Sequence, residues 1–465
     1  MSRNPNRSGG PAKVLLIALI ALLIAATGLM IWLCIDLVNA PAPQVQKPQP
    51  EVTMPTQAPT LPPPPTTEPP TTAPPEPERV VATATVASQG DLLMHKPVFE
   101  TCRQSDGSYD FSSIFRYSKD LVASYDYAVA NLETTFGGDK YIYQGNPAFN
   151  CPDALADSAV ETGYDMLLTA NNHAGDTMGD GILRTIEHIR SKGMQALGSQ
   201  LNNEEPKYSV VDINGIKIGM VCYTWAFSGN GSTFSLNGLN PVKDEGQMNY
   251  FTNNNPDKLY KEAQTAMEQM KAAGAEATML FIHWGQEYQT TENALQNTMA
   301  QKLCDMGVDV IVGGHPHVVQ PMDLLTSTTD LTHKTVCIYS LGNAVSNQRK
   351  EELKKSCPTG HSEDGVLFSV TFEKNSEGVV SVADVQVIPT WVNKFTNGDG
   401  KVEYNILPLE DSQRQQWKNQ FSLTDSQFTA CQDSYQRTMA ILSPGLEKCR
   451  TQLGASSGIT AAEAA

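Results

Sequence analysis

Several short stretches of the 465-residue chain place Asp, Glu, Asn or His directly after an apolar run. The residues at these positions are Asp91, Glu133, Asn172, His173, His283, His315 and His317. Imidazole nitrogens with carboxylate and amide oxygens form a ligand set that suits divalent transition metals, and no cysteine stands among them. The pattern therefore predicts a metal site, for which Mn, Fe and Zn all remain open.

The stretch GGHPH, residues 313–317, carries the clearest of these signals. Its two glycines follow the apolar run DVIV and permit a sharp turn, while Pro316 stiffens the loop. We therefore expect His315 and His317 to face one cleft. Four of the chain's eight histidines follow apolar runs in this way, which favours a shared role over an incidental one.

The apolar runs that precede these residues predict buried strands. From about residue 80, short β-branched runs such as VVATATVA, YDMLLTA and ATMLFI alternate with stretches of helical periodicity. These stretches include PDALADSAVETG at 152–163, DGILRTIEHIRSKG at 180–193 and PDKLYKEAQTAMEQMKAAG at 256–274. This alternation indicates an α/β domain, in which ligands bind beyond the carboxyl ends of the strands. After about residue 365 the pattern changes to antiparallel strands, and a partly helical tail is predicted over 411–465.

The order and spacing of six blocks resemble the CapA family, which is linked to poly-γ-glutamate capsule synthesis and related to calcineurin-like metallophosphoesterases. The blocks are GDLLMH, ANLETTF, LTANNHAGDTMGDGILRTIEHI, IHWGQEY, VDVIVGGHPHVVQPMD and IYSLGN. The resemblance implies a four-layer α/β/β/α sandwich over residues 80–410. It also implies a site for two divalent metal ions. At this site, water would attack a phosphoester or another hydrolysable bond.

Residue by residue, the resemblance implies roles within that site. The implied metal ligands are Asp91, Glu133 (in place of the usual aspartate), Asn172, His283, His315 and His317. His173 matches the histidine that contacts the substrate, and it would protonate the leaving oxygen. Asp176 would orient His173, with helix capping as the alternative role.

One position departs from the family pattern. The motif Asp-x-His after the first strand is here Asp91-Leu92-Leu93. One ligand is therefore missing unless His95 replaces it, which puts the second ion and catalysis in question. Two ions about 3.5–4 Å apart would otherwise activate a water and neutralise charge on a phosphoryl oxygen.

Four further residues lie close to the predicted site in sequence. Trp284 and Tyr288 are expected either to shape a substrate rim or to pack into the core. Gly342 and Asn343 follow a sixth strand and are expected to border the cleft, without an assigned chemical role.

The N-terminal segment predicts the compartment. Residues 14–35 are uncharged and long enough to cross the roughly 30 Å hydrocarbon layer as a helix. Basic residues precede this segment, which predicts a cytoplasmic N-terminus over 1–13, a signal anchor over 14–38 and an extracytoplasmic domain. A cleaved signal peptide is the alternative.

Residues 39–79 predict a disordered stalk. The stretch 41–77 holds 15 of the 29 prolines, interleaved with Thr, Gln and Glu. Such a segment cannot bury a core and favours extended polyproline II, so we expect it to hold the domain away from the membrane.

Charge and cysteine content exclude some classes of protein. The net charge is −17, and the first 38 residues are basic by two, so the remainder carries −19. This acidity argues against nucleic acid as a ligand. No close cysteine pair occurs, so a disulfide scaffold is excluded, and Cys431 with Cys449 is the one pair proposed for testing.

Three functional hypotheses remain open at this stage. The first is a membrane-anchored metallohydrolase acting on an envelope polymer precursor or a lipid-linked intermediate. The second is a non-catalytic accessory of polyglutamate capsule assembly or export, which holds the anionic polymer through metal ions beside capsule-synthase membrane proteins. A stalked receptor for sugars or peptides is the third, and no motif supports it.

Overall fold

The computed structural model describes residues 79–229, 233–238, 241–243, 247–253 and 255–454. The predicted N-terminus (1–13) and signal anchor (14–38) lie outside the described residues, as does the linker up to residue 78. Within the described ranges, no helix has the length and apolar character needed to cross a membrane.

Strands and helices alternate through most of the described chain. The strands are β1 (Val80–Leu92), β2 (Tyr127–Asn131), β3 (Met166–Leu168), β4 (Gln195–Leu197), β5 (Ser209–Ile213), β6 (Ile216–Ala226), β7 (Ser228–Gly229), β8 (Thr233–Ser235), β9 (Pro241–Lys243), β10 (Tyr250–Thr252), β11 (Ala277–His283), β12 (Val310–Gly314), β13 (Met322–Thr326), β14 (Lys334–Ile338), β15 (Asn343–Val345), β16 (Asp364–Asn375), β17 (Val380–Thr396) and β18 (Val402–Pro408). The helices are α1 (Lys96–Thr101), α2 (Ser112–Phe115), α3 (Lys119–Val122), α4 (Ala154–Thr162), α5 (Met178–Ser191), α6 (Asp257–Ala272), α7 (Ala294–Asp305), α8 (Trp417–Gln420) and α9 (Asp425–Gly454).

Two mixed sheets form the centre of the fold. The first sheet has the order β18-β17-β16-β1-β2-β3-β4, with β15 also pairing β1. The second has the order β10-β6-β11-β12-β14-β13, with β5 also pairing β6. Each sheet combines a parallel part with antiparallel strands at an edge, and the predicted antiparallel pairing after residue 365 is present between β16 and β17.

The two sheets share one apolar core. Side chains alternate along each strand, so that Val129 of β2 and Met279 of β11 lie in this shared core. Their neighbours Ala130 and Leu280 belong to separate clusters on the outer faces of the two sheets. This period-two alternation explains why the central strands are apolar on both faces.

Helices cover the outer face of each sheet. The outer cluster of the first sheet contains Phe99 of α1, Phe115 of α2 and Leu155 of α4. The outer cluster of the second sheet contains Leu259 of α6 and Leu303 of α7. The chain therefore has an α/β fold in which helices shield two packed sheets.

Helix α9 packs against the core rather than extending away from it. Its residues Leu442 and Leu446 belong to the core that both sheets share. Pro444 lies inside the helix, and an added Cβ on Gly445 would lie 1.8 Å from the main-chain oxygen of Met322. Glycine at this position therefore permits the close approach of α9 to β13.

The structure contradicts the cysteine pair suggested for testing. Cys431 and Cys449 are both buried and free. They lie 18 residues apart on the same helix, which separates them by about 27 Å at 1.5 Å per residue. A disulfide needs Cα atoms within about 7 Å, so these thiols serve as small core side chains.

Candidate metal centre

The candidate site lies where strands of both sheets end. Asp91 is near the end of β1, where it aligns with Asn131 of parallel β2 and with Asn343 of parallel β15. In the second sheet, His283 is the last residue of β11 and aligns with Gly314 of β12. Parallel pairing thus brings distant polar residues to the same end of each sheet.

Asp91 and His317 form one part of the site. The Oδ2 of Asp91 lies 3.1 Å from the Nδ1 of His317, and Asn131 Nδ2 donates to Asp91 Oδ1 at 2.7 Å. The Oδ1 of Asn343 is 3.2 Å from the same Nδ1 of His317. Both partners of Nδ1 are acceptors, so this nitrogen is a donor, and Nε2 is the ring nitrogen that could face a metal ion.

Asn172, His283 and His315 form the other part. The Nε2 of His283 lies 2.7 Å from the Oδ1 of Asn172, and the rings of His283 and His315 are 4.9 Å apart between centroids. All three residues are buried. The structure thus brings an amide oxygen and two imidazoles together from a strand end and two loops.

Glu133 stands between the two parts. Its Oε1 is 3.4 Å from the Nε2 of His283 and 3.8 Å from the Nε2 of His317. Among the described residues, two groups have ligand atoms that all lie within 4.8 Å of one another, and Glu133 belongs to both. The groups are Glu133, His283 and His315, and Asp91, Glu133 and His317.

Burial and charge set the protonation of these groups. Burial raises the pKa of Glu133 well above its usual value, and the nearby Asp91 charge adds to the increase. For Asp91, burial opposes ionisation, but the hydrogen bond and charge of His317 outweigh it and lower the pKa. Burial lowers the pKa of His283 to about 3 and lowers the pKa of His315 well below its usual value. Both imidazoles are therefore neutral, as metal ligands must be.

The residues fit a divalent metal ion. The Oε1 of Glu133 and the Nδ1 of His315 are buried without a hydrogen-bond partner, and an unpartnered buried polar atom is costly. The converging atoms are nitrogens and oxygens, which suits Mn, Fe or Zn better than a soft ion. These buried groups could hold a metal ion.

His173 and Asp176 lie at the edge of this site. The Nδ1 of His173 is 2.8 Å from the Oδ2 of Asp176, and the side chain of His173 is 13% exposed against 2% for Asp176. Asp176 also accepts hydrogen bonds from the main-chain N–H of Phe149 and from Asn237 Nδ2. Helix α5 has Thr177 at its N-cap and no side-chain cap, so Asp176 holds His173 rather than capping the helix.

His95 does not take the place of the missing ligand. It belongs to neither metal-ligand group of the described residues. Its Nδ1 lies 3.3 Å from the oxygen of Leu93, and the main-chain N–H of Asn347 lies equally close to that atom. Its ring packs edge-on against Phe149, at 5.1 Å between centroids.

Strained backbone accompanies the site. His315 and His317 adopt φ values of 96° and 56°, and Tyr288 adopts 62°. A left-handed conformation is unfavourable for residues with a Cβ, and its clustering is typical of functional sites. The turn predicted from GGHPH therefore requires a strained backbone at both histidines, in addition to the two glycines that precede them.

The neighbouring residues separate into different roles. Trp284 is buried, with its ring stacked on Tyr339 and its Nε1 donating to the Tyr339 oxygen at 2.9 Å, so it is a core residue. Tyr288 lies beside His317 at 6.3 Å between ring centroids.

Sequence reasoning missed the positioning role of Asn131 and gave none to Asn343. The only available signal was that each ends or begins a strand beside Asp91.

Comparisons with known proteins bear on the same region. A family described as "Bacterial capsule synthesis protein PGA_cap" matches residues 85–348. The capsule biosynthesis protein CapA of Bacillus anthracis is 28% identical over 278 residues, which are 58% of this chain and 62% of that protein. The PGA biosynthesis protein CapA of Bacillus subtilis (strain 168) is 25% identical over 304 residues, 64% of this chain and 70% of that one.

The match therefore spans less than two thirds of the Bacillus anthracis relative. Among solved structures, the sulfate thiohydrolase SoxB of Thermus thermophilus in complex with glycerol superimposes with a TM-score of 0.34 and 13% identity. That superposition covers 75% of this chain and 61% of SoxB. A likeness this low supports no assignment.

Proposed function

Because this chain belongs to the bacterial capsule synthesis protein family, we propose that its domain is a metal-dependent, phosphoesterase-like hydrolase in the synthesis of capsule, poly-γ-glutamate or another envelope polymer. One observation carries this proposal. The buried carboxylate of Glu133 belongs to two ligand groups at once, one with His283 and His315 and one with Asp91 and His317. A carboxylate common to both groups would let the five residues hold two divalent ions, the number used in two-metal hydrolytic sites.

The residues divide the chemical work. Two bound ions, drawn from Mn, Fe or Zn, would supply Lewis acidity and an activated water. Asp91 and Glu133 would offset the positive charge of the ions, and neutral His283 and His315 would offer nitrogen lone pairs. His317 would face an ion through its Nε2, which lies 3.8 Å from the Oε1 of Glu133. Asn172 contributes an amide oxygen.

His173 is the proton donor in this proposal. Its Nδ1 lies 2.8 Å from the Oδ2 of Asp176, which fixes the orientation of the ring. Nε2 makes no hydrogen bond to any of the described residues and is the atom that would deliver a proton to the leaving oxygen. Asp176 contacts His173, the main-chain N–H of Phe149 and the side chain of Asn237. It would act on the reaction through His173, so it is a positioning residue.

The four-layer architecture of the domain and its location outside the cytoplasm are part of the same proposal. The two packed sheets with helices on both outer faces support a four-layer α/β/β/α sandwich related to metallophosphoesterases. We place the domain outside the cytoplasm, held by a helix over 14–38 and a stalk over 39–79, beside capsule-synthase membrane proteins. Carbonate extraction of the full-length protein, compared with a variant lacking 14–35, tests the anchor: release of the intact protein would exclude it.

A non-catalytic accessory function is the second candidate. The observation that favours it is Leu93, an apolar and buried residue where the related enzymes carry a ligand. With His95 outside both ligand groups, the Asp91 part of the site keeps only three protein ligands. Such a centre would hold an anionic polymer through its ions without cleaving it.

The decisive experiment is hydrolysis of phosphomonoesters and phosphodiesters by the full-length protein. The protein is stripped of metal and reloaded with Mn, Fe or Zn, and His173→Ala and His315→Ala are compared with it. His333→Ala is the matched control, because His333 bonds the main-chain oxygen of Val308 away from the site.

We expect metal-dependent turnover that falls in both site variants and persists in the control. His173→Ala should keep its metal ions, whereas His315→Ala should lose one of them. Stoichiometric metal binding without turnover would exclude hydrolysis of these esters and favour the accessory function. Absence of metal binding would refute the site itself.

A further inference from the structure

The carboxylate of Asp176, which orients His173, accepts hydrogen bonds through both of its oxygens. Its Oδ2 accepts from the main-chain N–H of Phe149 at 2.6 Å and lies 2.8 Å from the Nδ1 of His173. Its Oδ1 accepts from the Nδ2 of Asn237 at 2.5 Å. Each oxygen of this buried carboxylate is therefore held by a donor from a different part of the chain.

Donors at both oxygens fix the plane of the carboxylate, which a donor at one oxygen does not. The last side-chain torsion of aspartate is broad and roughly two-fold, so this plane can rotate at small cost. Hydrogen bonds to an sp² oxygen prefer the plane of the carboxyl group, so the plane sets the direction of the bond to His173. The contact at Oδ1 therefore restrains rotation of the carboxylate and, through it, of the imidazole.

Asn237 reaches Asp176 from a segment that belongs to the second sheet. It lies between β8 and β9, in the small sheet β7-β8-β9 that the chain forms between β6 and β10. Asp176 lies instead in the loop between β3 of the first sheet and helix α5. The hydrogen bond between Asn237 and Asp176 therefore joins parts of the chain that come from different sheets.

The segment that carries Asn237 is packed in place. The preceding residue, Leu236, belongs to the core that both sheets share. Phe234 is also buried, and its ring stacks on Tyr250 of β10 at 4.5 Å between ring centroids. Asn237 therefore extends from a fixed support, as a residue that holds another side chain must.

A second contact joins the same loop to the second sheet. The Oδ1 of Asn172 lies 2.7 Å from the Nε2 of His283, the last residue of β11. The stretch 172–176 is thus connected to the second sheet at its first and last residues, with His173 between them. Because His283 is a candidate metal ligand, these two contacts set the position of the His173 ring relative to the metal centre.

We propose that Asn237 is a positioning residue, which fixes the plane of the Asp176 carboxylate and thereby the orientation of the His173 ring at the metal centre. It acts through Asp176 and does not touch the reacting atoms. The inference rests on the proposed hydrolase function, in which His173 delivers a proton to the leaving oxygen. The orientation of the ring can nevertheless be measured without turnover.

Kinetics with two esters test the effect on proton delivery. Full-length, Mn-loaded protein is assayed with phenyl phosphate, whose leaving oxygen needs a proton, and with 2,4-dinitrophenyl phosphate, whose leaving group departs without one. We expect Asn237→Ala to lower kcat for phenyl phosphate roughly tenfold, and kcat for the dinitrophenyl ester by less than about twofold. KM and bound metal should not change, because Asn237 belongs to neither ligand group of the described residues.

Ser235→Ala is the matched control for the packing of this segment. Ser235 lies in β8, and its Oγ is buried without a hydrogen-bond partner among the described residues. Its removal leaves Asn237 in place, so this variant should behave as the wild type does with both esters.

The orientation of His173 is measured separately, by a nitrogen–proton correlation spectrum of Zn-loaded, full-length protein that contains isotope-labelled histidine. The resonance of the His173 Nδ1 proton is the one that His173→Ala removes. Asn237→Ala should shift or broaden this resonance, because a carboxylate that turns more freely protects the proton less from exchange with water. Ser235→Ala should leave the resonance unchanged.

An unchanged His173 resonance in Asn237→Ala would overturn the inference. Loss of metal in this variant, or equal losses of kcat with both esters, would assign Asn237 a merely structural role and would also overturn it. Wild-type protein that cleaves neither ester, with a His173 resonance that still responds to Asn237→Ala, would reject the hydrolase function and leave the positioning of His173 established.

Discussion

The two parts of the metal centre are built differently. The Asp91 part, comprising Asp91, Glu133 and His317, has three candidate ligands, and surrounding amides hold them in place. The Asn172 part, comprising Glu133, Asn172, His283 and His315, has four candidate ligands. Of the two unpartnered buried atoms, Glu133 Oε1 belongs to both parts and His315 Nδ1 belongs to the Asn172 part alone. The Asp91 part is thus arranged in advance, and the Asn172 part has more to gain from an ion.

This difference suggests an order of metal binding. Four protein ligands complete more of a metal's coordination than three do, so the Asn172 part should bind the tighter ion. The Asp91 part leaves more positions for water or a ligand oxygen, and it lies on the side of Tyr288. The four experiments below test that division of roles.

The largest effect is expected for Glu133→Gln, because this residue belongs to both parts. Loss of the shared negative charge should remove both ions and lower turnover by more than about a hundredfold, beyond what changes around metal ligands usually cost. Metal content by mass spectrometry and initial rates measure this outcome. A variant that keeps both ions would show that Glu133 is not shared.

A smaller effect should distinguish His315→Ala from His317→Ala. Each removes a ligand from one part only, so each should retain about one metal equivalent. In a metal titration of the stripped protein, His315→Ala should lose the tight phase and His317→Ala the weak one. Loss of the same phase in both variants would refute the proposed order.

The pH dependence of metal affinity should follow Glu133. Its pKa is raised, so the metal-free protein keeps a proton on Glu133 in mild acid, and an incoming ion must displace that proton. Apparent affinity should therefore increase with pH, by up to about one decade per pH unit, and level off once Glu133 is ionised. His283, whose pKa is lowered to about 3, adds no slope in this range.

Competition with a chelator between about pH 5 and 8 measures this slope. Glu133→Gln cannot carry the proton, so any ion that it still binds should show a flatter dependence. An affinity in the wild type that falls as pH increases would contradict the assignment.

The smallest effect is expected for His95→Gln. His95 contacts main-chain atoms and Phe149 but joins neither ligand group, so metal stoichiometry should not change. Metal analysis of the purified variant is sufficient. Loss of one ion would mean that His95 completes the Asp91 part after all.

Much of the scaffold was accessible from sequence because periodicity is a local property. The stretches at 152–163 and 256–274 predicted helices, and α4 and α6 occupy Ala154–Thr162 and Asp257–Ala272. Each of these two helices is followed by a glycine in the left-handed conformation, Gly163 and Gly274, which is a strong local stop signal.

The residues that hold the metal ligands in place could not be predicted from local sequence patterns. Asn131 and Asn343 flank Asp91 only because β2 and β15 both pair with β1, and that pairing depends on the whole sheet. The hydrogen bonds that link His317 through Asn343 and Gln348 to Tyr288 likewise join residues brought together by tertiary structure. Strain at His315 and His317 leaves no compositional signal, since glycine is the residue expected at such φ values.

The position of helix α9 bears on the order in which the protein can mature. β1 pairs with β16 through Ser88 and Phe368, and the shared core is completed by Leu442 and Leu446 of α9. During translation, the ribosome synthesises β1 long before it synthesises α9. The metal-ligand residues are all synthesised before α9. The core that supports the metal centre is therefore complete only after α9 has been synthesised and has packed.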